Sequence, residues 1–376
     1  MVTERVLHCI PTMGGGGAER QLCYLCRGLV ELGWEVHVAL LRGGPNIDRL
    51  MASGAQVHFI PPSRNDSPRI AGHLVRLVRQ LKPDLVHTWI QMMDVWGGLA
   101  SIIAGTPFVI SQRIANTPTA NTWKERIRRI IATRAGAIVS NSEAGQAYWD
   151  THHRGKTLHQ VITNPVPFDE IRGMQPISLA EFGLPRDGEL VLYAGRFTEQ
   201  KNLGDLTDAL LLVLAERPGV YAALCGEGPL LPDVKARLSR ERIGHRCLLP
   251  GYVPNIWVWM RRADVFVSVS RWEGRPNTVL EATAIGCPLV VSDIPTHREI
   301  LHQDSARFVP LGQPAAIAEA IMDCLTGKQE ARLRAMRARE AIQGWSVSAV
   351  ASSYQALYTT VLAQAGRRPT LGRQVY

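Results

Sequence analysis

The sequence predicts an α/β fold made of two doubly wound domains, each a parallel sheet flanked by helices, and three observations carry that expectation. Short apolar runs of strand character alternate with amphipathic helical stretches, which is the pattern of βαβ units. These runs form two series separated by "ITNPVPFDEI", where Pro165 and Pro167 stiffen the crossing. At 376 residues, the chain exceeds what a single core usually supports. The expected division is 1–165, 166–345, a terminal helix over 346–365 and a tail over 366–376 that lacks periodicity and should be mobile.

In the first series the strands are "RVLHCIP", "EVHVALL", "QVHFIPP", "DLVHTW", "PFVISQ" and "AIVSNS". Between the first two, "PTMGGGGAER" leads into "AERQLCYLCRGLVELG", a helix whose apolar spacing takes in Cys23 and Cys26. That lone CxxC has no second pair and no nearby histidine, so it reads as helix packing. The second series is "LVLYAGR", "VYAALCG", "CLLPGY", "DVFVSVS" and "PLVVSD". A last helix begins at Trp345, in "WSVSAVASSYQALYTTVLAQ".

Composition narrows the class. An apolar content of 46% and a mean hydropathy of −0.03 describe a soluble globular chain. No run approaches the roughly 18 apolar residues of a membrane span. The opening "MVTERVLHCIP" carries Glu4 and Pro11 where a signal peptide needs an apolar core, so a cytoplasmic location is expected. Seven cysteines spread along the chain argue against a disulfide framework. Residues 1–165 hold 18 basic against 11 acidic side chains and the remainder 24 against 22, so the first half carries most of the field that would attract an anionic partner.

The densest chemistry lies in "RWEGRPNTVLEATAIGCPLVVSD". Pro276 suits a helix start and Gly286 followed by Pro288 a helix stop, which puts Glu281 just over one turn inside. Glu273 and Glu281 then converge on the mouth of the sheet, beside the first-turn amides of Gly274, Arg275, Asn277 and Thr278. Carboxylates would repel a phosphate, so their targets are hydroxyls next to one, as in a sugar nucleotide. Two ordinary glutamates in capping or surface roles are the alternative.

Neighbouring loops favour the ligand reading. "YAGRFTEQKN" places Arg196 and Lys201 five apart after a strand, a fork and a point charge suited to a diphosphate, with Asn202 able to cap the next helix. "LCGEGPL" sets Gly226 and Gly228 around Glu227, and "LLPGYV" gives Gly251 before Tyr252. All lie at the carboxyl ends of strands, where open α/β sheets bind ligands. The glycine run at 14–17 lacks both G-x-G-x-x-G and the G-K-[ST] of a P-loop, but its position between strand and helix would let amides face an anion.

Taken in order, "GGAER", "AGRFTEQKNL", "CGEGPL", "PGYV" and "EGRPNTVLEATAIGCPLVVSD" resemble the retaining glycosyltransferases of the GT-B fold, family four, with their E-x7-E signature. The resemblance covers nearly the whole chain. It implies two Rossmann-like domains facing across a cleft, the acceptor bound mainly by the first and the donor mainly by the second, with the terminal helix packing back on the first. No metal and no cofactor are implied, the donor being a nucleoside-diphosphate sugar, by default a UDP-sugar. Carried onto this chain, Arg196 and Lys201 hold the diphosphate and Glu281 the ribose, while Glu273 contacts the transferred sugar. Gly15 and Gly16 approach the phosphate, and Glu227 and Tyr252 border the base. Arg275 stands where such enzymes often have an apolar or aromatic residue, which alters how the sugar end is read.

His87 and Trp89 in "VHTWIQMMD", and Arg113 in "ISQRIAN", are acceptor-side candidates, with a satisfied structural histidine as the alternative for His87. His152, His153 and His159 read as surface residues. Expected partners are the donor, a glycan or lipid-linked acceptor in surface polysaccharide assembly, and an anionic membrane surface, with no nucleic acid. For the last, "TWKERIRRIIATR" is read as a helix with Trp123, Ile127, Ile130 and Ile131 on one side, which faces either the core or lipid, and Lys124, Arg126, Arg128, Arg129 and Arg134 on the other. Front-face transfer with retention follows from the family, with double displacement as the alternative. A GT-B epimerase and a non-catalytic binding module are the rival classes.

Overall fold

The computed structural model describes residues 3–61, 67–113, 122–153, 155 and 157–366. The predicted mobile tail, apart from Gly366, lies outside the described residues. The chain forms two compact units, residues 1–165 with 345–376 and residues 166–344.

In the first unit β1 (Arg5–Cys9), α1 (Gly17–Glu31), β2 (Glu35–Leu40), α2 (Ile47–Ala52), β3 (Gln56–Phe59), α3 (Arg69–Leu81), β4 (Leu85–Trp89), α4 (Ile90–Ala104), β5 (Phe108–Gln112), α5 (Trp123–Ala132), β6 (Ala137–Ser140), α6 (Glu143–His152) and β7 (Leu158–Val161) follow in turn. The strands pair in parallel in the order β3-β2-β1-β4-β5-β6-β7. Alternation along β1 sends Val6 to one face of the sheet and Leu7 and Cys9 to the other, into two separate apolar clusters. Burial on both faces is why the central strands read as unbroken apolar runs.

In the second unit α7 (Phe168–Arg172), β8 (Glu189–Ala194), α8 (Leu203–Glu216), β9 (Val220–Cys225), α9 (Leu231–Arg240), β10 (Cys247–Gly251), α10 (Ile256–Arg262), β11 (Val265–Ser268), α11 (Asn277–Ile285), β12 (Leu289–Ser292), α12 (Pro295–Arg298), β13 (Arg307–Val309), α13 (Pro314–Thr326) and α14 (Lys328–Ala341) build a second parallel sheet, ordered β10-β9-β8-β11-β12-β13. The edge strands β7 and β13 were not foreseen. "LHQV" and "RFV" are short and half-buried, so neither carries an apolar run.

The last helix, α15 (Val347–Gln364), returns to the first unit and packs on α1. Gly28 permits this approach, because a Cβ there would come within 2.5 Å of the Ala351 methyl. Tyr354, Leu357 and Tyr358 thereby complete the cluster that holds Val6 and Leu22. Cys23 and Cys26 are buried in α1, as helix packing requires. Among the described residues no helix is long and apolar enough to cross a membrane.

In α5 the structure reverses one reading. The buried face is made of Glu125, Arg128, Ile131 and Ala132, while Trp123, Ile127 and Ile130 are exposed. Arg128, expected on a solvated basic face, is 4% exposed. Its Nε donates to Asp94 Oδ2 at 2.8 Å, Nη1 to Glu125 Oε1 at 3.2 Å and Nη2 to Gln112 Oε1 at 2.6 Å, with its guanidinium 4.8 Å over the Trp149 ring. Thr88 donates to Asp94 at 2.6 Å, and Gln91 and Tyr148 each donate to Glu125 at 2.6 Å. Burial pushes the Asp94 carboxyl up to about 6, against the opposing pull of Arg128 and Thr88. Helical periodicity cannot say which face is inside when buried charged groups such as Arg128 and Glu125 are hydrogen-bonded to one another and to their neighbours.

Candidate active site

In the second sheet the strand order reverses between β8 and β11, and the loops leaving those two strands carry the expected groups. β8 runs through Gly195 and Arg196 into a single 3₁₀ turn, Glu199–Lys201, and then into α8 at Asn202. Asn202 sits in the left-handed region (φ 55°), and its amide donates 2.7 Å to Asp205 rather than capping the helix. β11 continues through 269–276 into α11. Lys201 Nζ is hydrogen-bonded to Glu273 Oε1. Ser270 Oγ donates to the same oxygen at 2.7 Å, and Gln200 Nε2 donates to Glu273 Oε2 at 3.2 Å and to the Trp272 carbonyl at 2.9 Å. The Arg271 amide returns a bond to the Gln200 carbonyl at 2.8 Å. Two loops remote in sequence are thus tied around one buried carboxylate. Arg196 is exposed, with its carbonyl accepting 3.0 Å from the Tyr193 hydroxyl.

The adjacent loops interlock through glycine. Gly226 N donates to Gly251 O at 2.7 Å and Phe197 N to Glu227 O at 2.8 Å. At Gly226 φ is 139°, and a Cβ would lie 1.9 Å from the Gly195 carbonyl oxygen, so only glycine fits. Glu227 is exposed on this rim, and so is Tyr252.

Pro276 is the N-cap of α11, and Gly286, left-handed at φ 83°, ends it. Glu281 is buried within that helix, whereas Asn277 and Thr278 are half-buried in its first turn. Gly274 is buried, as is Arg275, whose Nη1 donates to Glu299 Oε2 at 3.1 Å. Arg275 is therefore paired with an acid of its own unit. His297, which sequence reasoning passed over, is fully buried on α12. Its Nδ1 lies 2.8 Å from the Ser292 carbonyl, which can only accept, so Nδ1 carries the proton. Burial lowers its pKa. Ser292 Oγ in turn donates 2.6 Å to the Ser270 carbonyl, linking the end of β12 to the loop that holds Glu273.

In the first unit Gly15 is exposed after β1 and Gly16 is the N-cap of α1. The Glu19 carboxylate folds back over this helix end, so a Cβ on Gly16 would meet it at 2.3 Å, and Thr12 Oγ1 donates to it at 3.3 Å. His87 and Trp89 are buried. The His87 ring nitrogens lie 2.6 Å from the Tyr358 hydroxyl and 2.6 Å from Ser111 Oγ, and Trp89 Nε1 donates to His8 Nδ1 at 3.1 Å. Both take part in the interior hydrogen bonding of their unit. Arg113 stacks 3.9 Å over Trp89, and its Nη2 donates 2.8 Å to Tyr354. His153, expected at the surface, is buried, whereas His152 is exposed and His159 pairs with Asp150 at 3.0 Å.

Such a rim can receive an anion at Arg196 and the start of α11, and hydroxyls at Glu273 and Glu281. Comparison with known proteins agrees in kind. Residues 15–170 match the family model "Glycosyltransferase Family 4" and residues 188–327 match "Glycosyl transferases group 1". The lipopolysaccharide core biosynthesis glycosyltransferase LpsE of Rhizobium meliloti is 25% identical, over 90% of this chain and 94% of its own. The UDP-Gal:alpha-D-GlcNAc-diphosphoundecaprenol alpha-1,3-galactosyltransferase of Escherichia coli is 27% identical, over 59% of this chain and 60% of its own. Among solved structures, Anabaena Alr3699/HepE in complex with UDP and glucose superposes with a TM-score of 0.82 at 20% identity, covering 95% of this chain and all of that one.

Proposed function

Because the chain belongs to the family 4 glycosyltransferases of group 1 and shares their GT-B fold, we propose that it transfers a sugar from a UDP-sugar, with retention and without a metal, to a glycan or lipid-linked acceptor in surface polysaccharide assembly. The observation that carries this reading is the joining of Lys201 and Glu273 at the strand reversal of the second sheet, with Arg196 on the same loop as Lys201. The donor would lie along that edge. Arg196 and Lys201 would hold the diphosphate, Glu281 the ribose, and Glu273 the hydroxyls of the transferred sugar, with Glu227 and Tyr252 beside the base. Gly274, Asn277 and Thr278 would offer amides at the start of α11. In the first unit Gly15 and Gly16 would offer amides to an anion at the start of α1, and His87, Trp89 and Arg113 are the acceptor-side candidates.

As the bond from the anomeric carbon to the phosphate oxygen breaks, negative charge grows on the departing diphosphate. Arg196, Lys201 and the α11 amides would stabilise that charge in place of a metal ion. The acceptor hydroxyl would bond to the same face of the anomeric carbon and pass its proton to the leaving phosphate. Glu273 is tied down by Lys201, Ser270 and Gln200, which suits a carboxylate that orients a sugar better than one that attacks it. The acceptor class is supported by the names of the relatives, which act in lipopolysaccharide core synthesis and on an undecaprenol diphosphate.

A thermal-shift panel of nucleoside diphosphates and their sugars tests the donor, since a ligand that binds only the native state raises the melting temperature. UDP and one UDP-sugar should shift it most. If no nucleoside diphosphate shifts it, the donor reading fails.

A further inference from the structure

We propose that His297, on α12, is a positioning residue for sugar transfer that holds the loop carrying Glu273 in register with Lys201. Consecutive hydrogen bonds make the connection. His297 Nδ1 donates 2.8 Å to the Ser292 carbonyl, Ser292 Oγ donates 2.6 Å to the Ser270 carbonyl, and Ser270 Oγ donates 2.7 Å to Glu273 Oε1. The histidine, both serines and the glutamate are all buried, so water does not compete along this line. The same short helix holds the loop a second time, since Glu299 at its carboxyl end accepts 3.1 Å from Arg275 Nη1. Ser270 precedes Glu273 and Arg275 follows it, so the loop is gripped on both sides of the acid.

Folding alone does not account for this histidine. With the proton on Nδ1, Nε2 of the neutral ring is an acceptor, and it is buried with no hydrogen-bond partner among the described residues. Two nitrogens are thus desolvated for one short hydrogen bond, whereas a phenylalanine would fill the space without that cost. Nor does the Ser292 carbonyl depend on the ring, because the Ile294 amide also donates to that oxygen at 3.0 Å. What the ring does meet is the site: after burial and the Ser292 bond, the charges acting on it are those of Glu273, Lys201 and Asp293. A group that adds little to folding yet fixes the backbone beside an orienting carboxylate acts on the chemical step, where small misplacements are felt more than in binding.

The kinetic consequence rests on the donor reading, so a second measurement is made without any ligand. In urea denaturation, the coupling between Lys201→Ala and Glu273→Gln should fall to less than about half when the cycle is repeated on His297→Phe. In hydrolysis of the UDP-sugar that raises the melting temperature most, His297→Phe should lower kcat at least about fivefold, with KM and the UDP dissociation constant within about twofold of wild type. His297→Asn, whose amide places an N–H where Nδ1 stands, should restore both readings. Ser292→Ala should reproduce the loss, and adding it to His297→Phe should lower kcat no further. If His297→Phe does not fold, Ser292→Ala carries both measurements. Undiminished coupling overturns the proposal, as does wild-type kcat in His297→Phe or a failure of His297→Asn to restore it. A wild type that neither binds nor hydrolyses any UDP-sugar refutes the donor reading instead, and the coupling cycle then decides alone.

Discussion

Lys201, on the loop after β8, and Glu273, on the loop after β11, are hydrogen-bonded to each other, so the cation assigned to a phosphate and the acid assigned to a sugar form one charged unit. Their side chains are 16% and 7% exposed. Removing the ammonium would leave the carboxylate without its cation, whereas a glutamine at 273 would keep an oxygen for Lys201 to donate to.

For that reason Arg196→Ala and Lys201→Ala should differ. Both should weaken UDP binding by calorimetry. The exposed Arg196 should leave stability within about 0.5 kcal/mol, whereas losing Lys201 strands a buried carboxylate on Ser270 and Gln200 and should cost about 1–3 kcal/mol in urea denaturation. Partial recovery of stability in Lys201→Ala/Glu273→Gln would demonstrate the coupling. Equal stability of the two single variants would refute it.

The two glutamates should separate by assay. Glu281→Gln should lower affinity for UDP through the lost ribose contact. Glu273→Gln should leave that affinity nearly unchanged and slow sugar release from the donor by at least about tenfold, or ~1.4 kcal/mol of barrier. The opposite pattern would exchange the two roles.

Gly226→Ala should destabilise the second unit by roughly 2–4 kcal/mol, because the new methyl meets the Gly195 carbonyl at a backbone angle that L residues avoid. Gly204, inside α8 with open space around it, provides the control. Gly204→Ala should raise stability by about 0.5–1 kcal/mol.

Burial, with a smaller contribution from Arg113, lowers His8 from 6.5 to about 3. As pH falls the unfolded chain binds this proton first. The stability His8 contributes is therefore complete above pH 6.5 and is lost progressively as pH falls toward 3. His8→Asn keeps an acceptor for Trp89 and removes the titration. Its urea midpoint should depend less steeply on pH across that window than the wild-type midpoint, and parallel curves would exclude His8 as a source of the slope.

What the sequence disclosed follows burial geometry. Strands covered on both faces, such as β1, β8 and β11, announce themselves as apolar runs, and residues just beyond them can be placed at the sheet's carboxyl edge without coordinates. Arg196, Lys201 and Glu273 are placed at that edge in this way. Gln200, Ser270 and His297 escaped notice because each is an ordinary polar residue whose role exists only through pairing with a segment distant in sequence. The Tyr358 partner of His87, 271 positions away, could not be read from the sequence either.

The return of α15 to the first unit bears on how the protein is made. That unit is assembled from both ends of the chain, and its interior includes Tyr354 and Tyr358. A ribosome elongating at 5–20 residues per second needs roughly 10–40 s to pass from the end of the first segment to the end of α15. Throughout that interval the nascent first segment lacks the side chains that cover α1, while the second unit, continuous in sequence, can already close. Chaperone engagement should concentrate on the amino-terminal segment, and a stop codon shortly before α15 should yield a chain whose second unit is folded and whose first remains open to proteases.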